Sequence, residues 1–213
     1  IKKITSKGGF VVRMGDDTMT PLPSMKNVID YPFTKYKSAF MDLCLIQNCR
    51  FYIGGQSGLQ EFASLAFKNI LLINMFDWCL MPCGRKDRGI LQHFYSKKHK
   101  RVLSIKELLT SDLGSKDFHI NSLDIDRNYI ISENSAEEIT KAVVEYMDFL
   151  SNNNLSLTSK QKEFTEHSKA QAHRVREHNQ SRIDADGYSN AHIAVLTERK
   201  QGTLCAGFLE DNW

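Results

Sequence analysis

Short apolar runs alternate with amphipathic stretches along the first two thirds of the chain. The run Gly9-Phe-Val-Val-Arg-Met-Gly15 is β-branched and closed by glycine, which predicts a buried strand. Pro21 and Pro23 make 17–24 a loop, and 27–31 reads as a second short strand stopped by Pro32. Positions 37–47 predict a helix with apolar residues almost all round, hence a buried one. A third strand over 50–54 is followed by a helix over 58–67. In that helix Leu59, Phe62, Ala63, Ala66 and Phe67 fall at i, i+3, i+4, i+7 and i+8. A fourth strand covers 69–74. Strand, helix and strand at this spacing form a βαβ unit, so the expected fold class is α/β, a Rossmann-like parallel sheet with helices on both faces.

The pattern then loosens. Residues 76–101 hold Pro82, Gly84, Gly89 and many charges, and read as irregular. Ser104 and Glu107 form a capping box before Leu108 and Leu109, and 129–131 is a fifth short strand. A second capping box, Ser135 with Glu138, opens the best-defined helix, whose stripe is Ile139, Ala142, Val143, Tyr146, Met147 and Leu150. After a polar linker at 152–156, positions 158–182 are helix-permissive, with only Phe164, Ala172 and Val175 as an apolar seam. So polar a helix needs a surface to lie on. Segment 191–213 alternates too weakly to assign. The expected organisation is a Rossmann-like α/β domain over 1–150 and a helical extension over 151–213, packed on it or on a domain N-terminal to this chain.

Composition narrows the function classes. Hydrophobic residues make up 41% and charged residues 25% of 213 positions, enough to bury a sizeable core. A net charge of +3 gives no case for nucleic acid. No apolar run approaches the roughly 20 residues of a spanning helix. Cys44, Cys49, Cys79, Cys83 and Cys205 are odd in number, without a CxxC, and read as reduced thiols. Cys79 and Cys83 supply two of four zinc ligands, with His93 and His99 poorly spaced as companions, so no metal is expected. His93, His99, His119, His167, His173 and His178 read as surface histidines. The cluster Lys97-Lys-His-Lys-Arg101 reads first as a solvated face; its functional reading is a contact with an anionic lipid-linked acceptor or a membrane surface.

Candidate chemistry lies at two strand ends, because ligands of parallel sheets bind outside the carboxyl ends of the strands. The first strand ends in Arg13-Met-Gly-Asp16, and the third in Gly54-Gly-Gln-Ser-Gly-Leu59, running straight into a helix. Glycines there permit a sharp turn and close ligand approach. Ser57 and the free N–H groups after it make an anion site at a helix start. Arg13 adds a permanent charge suited to phosphate, and together these predict a diphosphate site. The alternatives are that Ser57 and Gln60 only cap the helix, and that Arg13 pairs with Asp16, Asp30 or Asp42.

The block Asp42-Leu-Cys-Leu-Ile-Gln-Asn-Cys-Arg-Phe-Tyr-Ile-Gly-Gly-Gln-Ser-Gly-Leu-Gln-Glu-Phe-Ala63 resembles the nucleotide-sugar half of GT-B glycosyltransferases such as heptosyltransferases and fucosyltransferase-like enzymes. Three pieces together resemble one bacterial family of surface-polysaccharide glycosyltransferases: the 9–15 run, the 29–74 block and Glu133-Asn-Ser-x-Glu-Glu-Ile139. The resemblance spans roughly 1–150. It implies that Arg13, Ser57 and Gly58, with Gly55 and Gln56 of the same turn, hold the donor diphosphate. It places Glu133 and Asn134 near the nucleoside, with Asp16, Glu61 and Asn74 as further candidates. Gln56 and Glu61 stand where heptosyltransferases have Asp and His, which leaves the donor nucleotide open. The implied activity is metal-independent sugar transfer from a nucleotide-sugar substrate to a surface glycan or lipid-linked acceptor. It needs no cofactor and takes place in the cytoplasm or peripherally at the inner membrane. In this family the acceptor site and catalytic base belong to an N-terminal domain that the resemblance does not cover, so no catalytic residue is assigned. The competing readings are a non-catalytic sugar-nucleotide-binding module and another nucleotide-sugar enzyme such as an epimerase.

Overall fold

The computed structural model describes residues 1–76, 84–111, 113, 125, 127–152, 154–170 and 201–213. Helix α1 (Lys2–Ser6) leads into strands β1 (Val11–Arg13) and β2 (Val28–Asp30), which pair in parallel with Arg13 opposite Asp30. Helix α2 (Ala39–Asn48), strand β3 (Phe51–Gly54), helix α3 (Gly58–Leu65) and strand β4 (Asn69–Met75) follow. Strand β5 (Arg88–Leu91) runs almost directly into β6 (His93–Ser96), then β7 (Arg101–Val102), helix α4 (Ile105–Thr110) and β8 (Tyr129–Ser132). Helix α5 (Ala136–Asn152), helix α6 at 159–170, β9 (Thr203–Leu204) and helix α7 (Ala206–Asn212) complete the described chain.

The fold is mixed α/β around a parallel sheet in the order β3-β4-β5-β9, flanked by helices. Strands β7, β6 and β8 form a separate antiparallel sheet beyond the carboxyl end of β5. The expected strands at 50–54 and 69–74 and the helix at 58–67 fall where the pattern placed them, and both capping boxes form. On α5 the expected stripe faces inward: Ala142, Val143 and Tyr146 are buried, and Ile139, Met147 and Leu150 pack against the core.

Several expectations need correction. The strand around Arg13 was expected in one sheet with β3 and β4. Instead, β1 has a ladder only with β2 among the described strands, and side-chain packing of Met14 joins this pair to the central core. Helix α2 was expected to be buried, yet Ile46 is its one buried residue, while Phe40 is 74% exposed. A short helix has one inward face, and apolar residues on its other faces stay in water. The stretch expected to be irregular contains β5, whose four residues are all buried. Its flanking charges hide it in the sequence because they are satisfied internally. The Asp87 carboxylate accepts from the N–H groups of Ile70 (2.9 Å) and Gly84 (2.8 Å). The Arg88 guanidinium donates to the carbonyls of Arg85 and Asp87 and lies 4.1 Å over the Phe149 ring.

The C-terminal segments enter the same core. Phe164 on α6 is fully buried, Gln161 donates to the Leu204 carbonyl at 2.8 Å, and Leu204, Cys205, Phe208 and Leu209 are buried. Residues on both sides of the expected boundary at 150 therefore share one hydrophobic cluster. Ala172 and Val175 of the apolar seam, Cys79 and Cys83, and His119, His173 and His178 lie outside the described residues. Among the described residues no helix is long and apolar enough to cross a membrane.

Two buried side-chain groups lack a hydrogen-bond partner among the described residues, one on Arg13 and one on Tyr146. The Tyr146 hydroxyl has no hydrogen bond among the described residues, and burial pushes its pKa up. An unmade hydrogen bond costs about 1–3 kcal/mol, so Tyr146→Phe is expected to raise stability by about 1 kcal/mol. A lower melting temperature in the Phe variant would show that the hydroxyl has a role of its own.

Candidate functional site

The carboxyl ends of β3, β4 and β5 are stitched together by a belt of side-chain amides. Gln56, in the turn after β3, accepts from the Phe76 N–H at 2.9 Å just beyond the end of β4. Asn74 has φ 51°, a left-handed conformation that asparagine tolerates better than most residues. Its side chain accepts from the Asn134 N–H at 2.7 Å, and its own N–H donates to the Asn134 side chain at 2.8 Å. Asn134 then donates through Nδ2 to the Leu91 carbonyl at 2.6 Å, at the end of β5. Gln56, Asn74 and Asn134 were expected at a ligand site; they are brought to one sheet edge, but their amides are engaged with the backbone.

The turn between β3 and α3 is the open part of this edge. Ser57 caps α3, accepting from the Gln60 N–H at 3.5 Å, and shares a hydrogen bond with the Tyr52 hydroxyl. Burial pushes the Tyr52 phenol up, against that bond. Gly54, Gly55 and Gly58 have no positive φ, so the backbone of this turn does not itself require glycine. A Cβ on Gly54 would lie 2.5 Å from the Tyr52 hydroxyl, so a side chain here requires the Tyr52 ring to shift. A Cβ on Gly58 would meet nothing within 4 Å. The N–H groups of Gly58 and Leu59 have no acceptor among the described residues, as expected in a first helical turn. Glu61, in the same turn, and Glu133, beside Asn134, are exposed.

Arg13 is paired within the β1–β2 ladder. Its Nε donates to Asp30 at 2.6 Å, its guanidinium lies 5.8 Å from the Phe33 ring, and Asp30 also accepts from the Leu22 N–H. The Arg13 bond, opposed by burial and helped by Leu22, holds the Asp30 carboxyl below its ordinary value. The Nη2 of Arg13 is buried without a partner among the described residues. Of the three pairings open in the sequence, the structure selects Asp30, which sits opposite Arg13 in the β1–β2 ladder. Asp16 is exposed and accepts from the Thr18 N–H and hydroxyl, which lowers its pKa.

His93, expected as a surface histidine, is instead paired. Its Nε2 lies 2.8 Å from Glu138, with both side chains about one-fifth exposed (20% and 23%), and its ring is 6.2 Å from that of Phe208. Burial raises the Glu138 carboxyl, but the Ser135 bonds and His93 prevail and hold it below its ordinary value. A carboxylate-oriented imidazole at the start of α5 can hold and pass a proton. Its one trace in the sequence is the capping Glu138, which has a second carboxylate oxygen to spare. Comparison of the chain with protein-family models, curated proteins and solved structures finds no match.

Proposed function

We propose that the chain is the donor-binding part of a glycosyltransferase, its sheet corresponding to the Rossmann-like C-terminal half of a GT-B enzyme. The observation that carries this reading is the start of α3. The N–H groups of Gly58 and Leu59 have no acceptor among the described residues, and a Cβ on Gly58 would enter open space; at the carboxyl edge of a parallel sheet an anionic oxygen gains from both such donors and the helix dipole. The belt through Gln56, Asn74 and Asn134 fixes that edge, so the donors are preorganised. Arg13, with Nη2 unpaired among the described residues, is the charge this reading assigns to the diphosphate. Developing charge on the departing diphosphate is then met by fixed dipoles and a guanidinium. Glu133 is assigned to the nucleoside side, and Glu61 and Asp16 are left to solvent.

Calorimetric titration with UDP, GDP, ADP and CMP tests the reading. One of these is expected to bind, and its nucleoside without phosphate only weakly. Gly58→Val should fold, because its side chain enters open space, yet weaken nucleotide binding about tenfold or more. Ser57→Ala should act on stability, costing about 0.5–2 kcal/mol as a lost cap, with a smaller change in affinity. Equal nucleotide affinity in wild type and Gly58→Val would remove the diphosphate from this turn.

A further inference from the structure

The antiparallel sheet presents two features on one side. Residues directly opposite across a ladder point to the same face, so Val102, Tyr95 and Ile130 form a row across β7, β6 and β8. The opposite face carries Phe94, Ile131 and Tyr129, which pack on the core. On the outer face Val102 is 48% and Ile130 54% exposed. The row adjoins the turn between β6 and β7, where Lys97, Lys98, His99 and Lys100 are all exposed. Arg101, on the inner face, is engaged by Glu107, whereas Lys98 and Lys100 make no ion pair among the described residues.

We propose that this outer face docks on an anionic lipid surface, the lysines of the turn meeting headgroups and the Val102–Tyr95–Ile130 row entering the interfacial layer. Charge complementarity selects the occupant. A second copy would bring two lysine-rich turns together, and a soluble anionic glycan would engage the lysines while leaving the apolar row in water. Tyrosine flanked by aliphatic residues suits the headgroup boundary, and cations beside it suit a negative leaflet. Because His93 opens β6 only two positions after Leu91 closes β5, the face lies off the carboxyl edge of the parallel sheet. A chain docked this way keeps that edge near the membrane.

Vesicle flotation tests it, using phosphatidylcholine alone and phosphatidylcholine mixed with phosphatidylglycerol. The chain is expected to float with the mixed vesicles and not with the neutral ones. Each lysine near a charged leaflet is worth about fivefold, so Lys98→Glu with Lys100→Glu should lower the affinity at least about twentyfold. Val102→Ser with Ile130→Ser should weaken it severalfold and leave the remainder fully sensitive to salt. These positions are exposed, so circular dichroism should be unchanged. Flotation with neither vesicle at low salt, or unchanged flotation of the lysine variant, overturns the proposal. A changed sedimentation coefficient in the serine variant would also overturn it, by assigning the row to contacts between copies.

Discussion

Asn134→Ala is expected to destabilise the fold by about 3–4 kcal/mol. The side chain is buried and both its polar atoms are engaged, Oδ1 by the Asn74 N–H and Nδ2 by the Leu91 carbonyl. Truncation leaves both backbone groups orphaned, and each buried orphan costs about 1–3 kcal/mol. Asn134→Asp should do no better, since it replaces the donor facing Leu91 with an acceptor. Asn74→Gly tests the other half of the pair more gently. Glycine accepts φ 51° without strain, so that variant loses only the bond to the Asn134 N–H, about 1 kcal/mol. Urea unfolding of the three variants measures the differences. An Asn134→Ala variant within about 0.5 kcal/mol of wild type would mean that water replaces the amide and the belt does not hold the edge. Titration of the folded Ala variant adds a second readout. Because the amide is committed to backbone, nucleotide affinity should change far less than in Gly58→Val.

The same residues show what the sequence can and cannot disclose. Strands β3 and β4 and helices α3 and α5 are legible because each carries its signal locally: a β-branched run, a 3.6-residue stripe, a capping serine. Strand β5 is illegible for the opposite reason. Asp87 and Arg88 read as surface charges, and what allows their burial comes largely from distant segments, the Ile70 N–H and the Phe149 ring, with the nearby Gly84 N–H as a local partner. Strand β9, two residues long, exists because Thr203 and Leu204 find Arg88 and Gly89 across the chain. At the candidate site the turn from Gly54 to Gly58 is legible as a strand-to-helix junction. The role of its neighbours is not, because an asparagine that binds a ligand and one that ties two strand ends together look identical in a sequence. The Arg13–Asp30 pair is partly legible, as one of three carboxylates within reach; only the parallel ladder decides among them.

Asp87 should make stability fall as pH rises from about 4 to about 7. Burial raises its carboxyl from the usual 3.8 to about 6, overriding the Ile70 and Gly84 N–H bonds and the nearby Arg88 charge, all of which favour ionisation. The sign follows from proton binding. Below about 4 both folded and unfolded chains hold the proton, and the contribution of the group is fully present. Between about 4 and 6 the unfolded chain releases its proton while the folded chain retains it, so the unfolded state gains. Above about 6 both are ionised and the loss is complete. The rise from 3.8 to about 6 corresponds to about 3 kcal/mol. Other carboxylates run the opposite way. Asp30 and Glu138 lie below their ordinary values and lose their contribution as pH falls, so the total curve mixes both signs. The difference between wild type and Asp87→Asn isolates the group, since asparagine does not titrate. That difference, from urea unfolding at several pH values, should decline by about 3 kcal/mol across the window. A flat or rising difference would mean that the two N–H bonds and the guanidinium offset or outweigh burial and that Asp87 is an ordinary buried carboxylate ion. In that case β5 is anchored by charge, and replacing Arg88 with an uncharged residue should cost far more at pH 7 than at pH 4.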